Sequence, residues 1–144
     1  MSRTLAVGVA VAGLMLMRTG AVSAHHAFAA EFDAAQPVSF KGTVSKVLWV
    51  NPHSWIYVEV KKPGGKVETW AVEGGTPSVL FRRGLTKDSL KVGTAVVVDG
   101  YRAKDGSLRA NGRSVTLADG TKLFVGSSGT GAPYELELKA PVKK

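Results

Sequence analysis

Cysteine is missing from the whole sequence, which excludes disulfides and thiolate metal centres and leaves imidazole, carboxylate and amine groups as the available metal donors. Histidine is scarce as well, with His25, His26 and His53 the only three. No apolar run is long enough to span a bilayer: the longest, Leu5 to Met17, falls short of the roughly 20 residues a membrane helix needs, and Arg18 ends it. The run has no cysteine after it, so it lacks the residue a bacterial lipid anchor requires. No serine–histidine–acid set and no acid pair occurs in a recognisable catalytic motif. The set of candidate catalytic residues is therefore empty, and a binding role is favoured over an enzymatic one.

What is present begins with an export signal. Arg3 supplies a positive start, Leu5–Met17 the apolar stretch and Val22-Ser23-Ala24 a small-residue cleavage site, so residues 1–24 read as a cleaved secretory leader. The expected product starts at His25, is periplasmic or secreted, and carries no transmembrane anchor after processing. Its length suits one domain. Taking Arg3 and Arg18 from the 19 basic residues leaves 17 against 11 acidic ones, a net charge of +6. A basic exported surface meets anionic lipid or acidic polysaccharide rather than nucleic acid, which is not an expected partner.

Along the mature chain, residues 25–37 form an alanine-rich arm in which Phe28 and Phe32, spaced i and i+4, can lay both rings on the domain from one or two helical turns. The main body, residues 38–125, alternates as strands do. Val38, Phe40, Val44, Leu48 and Val50 share one face of a long first strand, with Val47 and Trp49 on the other and Gly42 as a bending point. Asn51-Pro52-His53 breaks it, because proline cannot donate to a ladder. Strands over Ser54–Lys62 and Lys66–Glu73 follow, joined by a turn at Pro63-Gly64-Gly65. Thr76 as a cap, Pro77 at the first helical position and Gly84 just past the end predict a short helix, whose Val79, Leu80 and Phe81 would plug the base of the domain. Thr94–Ala103, with Ala95-Val96-Val97-Val98 apolar on both faces, reads as a central strand. Ser107–Leu117 and Thr121–Val125 complete the set. Residues 126–144 read as a flexible Gly/Ser linker and basic tail, in which Tyr134–Leu138 could add an edge strand. Three strands, a short helix between the third and fourth strands, then two or three more strands is the order of a mainly β, small OB-like barrel.

Several stretches resemble one family. They are the His25-His26-Ala27-Phe28 start, Trp49-Val50-Asn51-Pro52-His53-Ser54-Trp55, Trp70-Ala71-Val72-Glu73-Gly74-Gly75, Arg82-Arg83-Gly84 and Asp99-Gly100-Tyr101-Arg102. Together they are similar to a family of small exported bacterial proteins catalogued as a domain of unknown function. The resemblance implies an exported single domain and brings no activity.

Candidate site residues fall into two groups. A chain that begins His25-His26 offers its α-amine, an amide nitrogen and two imidazoles, a nitrogen set that suits Cu(II), with His53 as a further ligand if the arm folds back. Zinc could use the same imidazoles, with Glu31 or Asp33 completing the shell. The second group is Trp49, Trp55, Tyr57 and Tyr101, aromatic residues that could hold a small ligand or an envelope protein without any metal. The expected function is thus an exported binding protein for copper or another divalent metal, or else a metal-free OB-like ligand-binding or protein-interaction module.

Overall fold

Strict alternation of apolar and polar side chains gives strands with one dry face, and a computed structural model, which describes residues 27–139, shows six of them. A one-turn helix, α1 (Ala27–Glu31), leads into β1 (Phe32–Leu48). Then come β2 (Trp55–Lys61), β3 (Val67–Glu73), α2 (Pro77–Arg82), β4 (Ala95–Ala103), β5 (Arg109–Leu117), β6 (Lys122–Phe124) and α3 (Tyr134–Lys139). The sheet order is β3-β2-β1-β4-β5-β6, and an additional parallel pairing between β3 and β5 joins its ends. Hydrogen bonding therefore runs as a ring through β1, β2, β3, β5 and β4. This barrel-like closure has the OB-like order expected, with the short helix α2 between the third and fourth strands.

Long strands can serve two neighbours, and β1 does so. Its first part pairs with β4 from Pro37 to Thr43, its second with β2 from Thr43 to Leu48, and Gly42 stands at the change. Inside the ring, Val44, Ile56, Val58, Val72, Val96, Val98, Ala110, Val115 and Val125 are each at most 2 % exposed and form one core. Leu80 of α2 and the connector residues Leu85 and Leu90 join it. A second, separate cluster lies on the opposite face of β4: Phe28 and Phe32 from the arm, Ala103, and Ala132 and Tyr134 from the tail.

Four expectations change. A β-bulge between Val44 and Lys46 reverses the parity of the end of β1, so Val47 and Trp49 pack against the core and Val50 is exposed. Val97 is only half-buried, because β4 is covered on its inner face by the core and left partly open on the other. The plug is Leu80 alone, since adjacent helix positions point about 100° apart and, with Leu80 turned inward, Phe81 is left 69 % exposed. The stretch that could have added an edge strand does not: Tyr134–Lys139 is helical. The sequence signals for α2 hold, with Val79 N–H donating to Thr76 Oγ1 at 3.2 Å and Gly84 adopting a φ of +85° just beyond the last turn.

Candidate functional site

Polar side chains gather where the turn at residues 51–53 meets the end of β3. Ser54 N–H donates to Gly75 O at 3.0 Å and Gly74 N–H donates to Ser54 O at 2.8 Å, which pins the turn in place. Glycine is required there by proximity, since a Cβ on Gly75 would stand 2.8 Å from Gly126 O. His53 Nδ1 consequently lies 3.4 Å from Glu73 Oε1, an ion-pair distance without hydrogen-bond alignment.

Glu73 is 7 % exposed although its neighbour Val72 faces the core and its own parity points outward. A charged pair made by the arm and β5 acts on it. Arg109, whose guanidinium lies 5.6 Å from the Phe32 ring centre, bonds through Nη2 to Glu31 Oε2 at the end of α1. Asn111 is paired with Glu73 across the parallel strands and is 1 % exposed. Burial pushes the Glu73 carboxyl above the usual glutamate range, and the Glu31 charge adds to this, while His53, Arg109 and Asn111 pull it down. A turn residue and an arm residue thus act on one carboxylate.

The aromatic candidates do not converge. Trp49 borders a groove of about 560 Å³ that Pro77, Phe81 and Leu85 also line. Trp55 and Tyr57 are half-buried on the outer face of β2, where Trp55 is the cross-strand neighbour of Glu73 and Lys46 Nζ lies 5.5 Å from the Tyr57 ring centre. Tyr101 belongs to the outer cluster, with its ring 5.5 Å from Phe28 and 6.3 Å from Tyr134.

Of the metal candidates, His53 sits beside Glu73, while His25 and His26 lie outside the described residues. Glu31 is engaged by Arg109. Asp33 is exposed and closes its own turn, accepting from Ala35 N–H at 2.9 Å and Gln36 Nε2 at 2.9 Å, bonds that hold its carboxyl below the usual aspartate range. Among the described residues, no group of three or more histidine, aspartate or glutamate side chains is arranged to hold a metal ion. None of the described helices is long and apolar enough to cross a membrane.

Sequence reasoning passed over Glu73, Arg109, Asn111 and Tyr134. Parity alone places Glu73 in solvent, and its pairing with Asn111 of β5, distant in sequence, leaves no mark on β3 itself. The one local signal was its place directly before Gly74-Gly75.

A family model matches residues 13–113. The chain belongs to this family, a family of unknown function (DUF6152). The matched stretch holds all three histidines together with Glu73, Arg109 and Asn111, and it ends before Tyr134. Neither a curated protein nor a solved structure matches the chain. Family membership therefore supplies no activity, and the side chains must supply the argument. Carboxylates beside one imidazole nitrogen commonly orient metal-binding histidines, and the 3.4 Å between His53 Nδ1 and Glu73 Oε1 brings this pair within reach of that arrangement.

Proposed function

We propose that this protein is an exported metal-binding protein in which His53, oriented by Glu73, ligates a divalent ion, Cu(II) foremost, together with His25 and His26 of the arm. The observation that carries the reading is that Glu73 is approached from two sides, by His53 at 3.4 Å and by the Glu31–Arg109 pair that ends the arm helix. The end of the arm helix and the turn thus act on the same carboxylate. The arm's histidines immediately precede α1, whose five residues rise only about 7 Å. Two arm imidazoles, a free amine and a carboxylate-oriented third imidazole form a nitrogen-rich set for which Cu(II) has the highest affinity among the divalent first-row ions. The amine requires cleavage directly before His25, which is part of the proposal.

Titration of Cu(II) into protein that starts at His25, and into the same protein with one residue added before it, tests the terminal site. Affinity should fall at least about tenfold with the added residue and again in His53→Ala. Equal affinity in all three would remove the site.

A second reading rests on the groove beside Trp49. Its volume of about 560 Å³ and its exposed Phe81 suit a small apolar ligand without any metal. Loss of ligand binding in Phe81→Ser, with Cu(II) affinity untouched, would assign function to the groove instead.

A further inference from the structure

Tyr134 lies beyond the family-matched residues, yet its phenol is fully buried and reaches the strand that carries part of the His53 site. Ser127 N–H donates to the phenol oxygen at 3.1 Å, and the hydroxyl donates to Asn111 Oδ1 at 2.7 Å. A phenol has one proton, and here Asn111 receives it. Asn111 must therefore keep its oxygen toward the tyrosine, which turns its NH₂ group away, toward the Glu73 carboxylate paired with it across β3 and β5. Rotating the amide would set one oxygen against another in a site closed to water, at the cost of a buried unsatisfied group. Burial raises the Tyr134 phenol to about 12, so the donor keeps its proton at neutral pH.

The tail also fixes the arm. Phe28 N–H donates to Thr130 O at 3.2 Å, and Glu135 accepts from Gly129 N–H, Thr130 N–H and the Thr130 hydroxyl at 2.8, 2.9 and 2.6 Å. One short segment thus holds both the arm next to His25 and His26 and the amide behind Glu73.

We infer that Tyr134 is a positioning residue for the His53–Glu73 pair, acting through Asn111, so that docking of the tail sets the geometry of the site. The inference rests on the metal-binding reading only for the identity of the ligand. The geometry it concerns exists in the metal-free protein.

Two measurements on the chain starting at His25 keep these apart. The first is the imidazole ¹⁵N resonances of His53 without metal, and the second is Cu(II) affinity. Tyr134→Phe keeps the ring against Tyr101 and Phe124 and removes only the hydroxyl. It should move the His53 resonances and weaken Cu(II) about tenfold, as loss of an outer-shell partner does. Phe124→Leu, which alters the packing of Tyr134 but not its hydroxyl, should leave both near wild type. Should Tyr134→Phe fail to fold, Asn111→Ala reads the same relay from its middle and should move the same resonances. His53 resonances that coincide in wild type and Tyr134→Phe, or that move equally in Phe124→Leu, would overturn the positioning role. Failure of the wild-type protein to bind Cu(II) would overturn the metal reading alone, and the resonances would still decide the role of Tyr134.

Discussion

The core inside the ring and the cluster outside it are built by different rules. Inside, fourteen residues drawn almost wholly from consecutive strands and their connector meet because each strand alternates. Outside, five residues from the two ends of the described chain and from β4 meet only after the ring exists to receive them. The inner core is aliphatic apart from Trp70, whereas the outer cluster is aromatic and borders the buried polar line from Tyr134 through Asn111 to Glu73. The first is expected to carry most of the stability, and the candidate chemistry lies where the second meets the ring.

This contrast can be broken or sharpened by measurement. The largest effect is expected for Ile56→Ala, which opens a hole in the ring and should cost about 2–5 kcal/mol in urea unfolding. Phe28→Ala removes an equally buried ring, but the arm can undock while the ring stays folded. A smaller loss of about 1–3 kcal/mol is expected, together with faster exchange of the Lys104 amide, which donates to Glu31 O at 2.9 Å. Equal losses in the two variants would show that the clusters unfold as one unit.

The smallest effect concerns pH. Burial alone would raise Glu135, but bonds from Thr130 and Gly129 outweigh it and hold the carboxyl below its ordinary value of 4.5. A lowered folded-state pKa adds stability that is present at neutral pH and is lost as pH falls below that value through the folded one. Amide exchange at Gly129 and Thr130 should therefore quicken in this acid window before exchange in β4 does, and Glu135→Gln should remove the pH dependence.

The difference between the clusters also explains what could be read from the sequence. Alternation gave the strands, Thr76, Pro77 and Gly84 gave α2, and the two together gave the OB-like order. The bulge at Ser45 was hidden because it shows only in the pairing of two strands, where Val44 meets Val58 and Lys46 meets Tyr57. His53 could be singled out because histidine is rare here, and Trp49, Trp55, Tyr57 and Tyr101 because their rings fall among Lys and Arg on what reads as a barrel face. That these four face different surroundings depends on register, which no single strand reveals. Glu73 and Tyr134 were illegible for one reason: each has a partner far along the chain, Asn111 in both cases. A charged residue at an outward position and a tyrosine after a Gly/Ser stretch carry no mark of such partners.

The parallel pairing of residues 71–73 with residues 109–111 also has a bearing on the order of events in folding. Hairpins such as β2–β3 can form from neighbouring residues, but the ring cannot close until a long intervening segment has been gathered, and such distant closures are slow. Phe28 and Phe32 must wait longer still, because Tyr134 and Ala132, which pack with them, are among the last described residues to leave the ribosome. The earliest aromatic side chains of the domain are therefore the last to be covered, and for that interval the arm is held by ring-side residues such as Lys104 and Arg109, without the bond that the tail gives to Phe28.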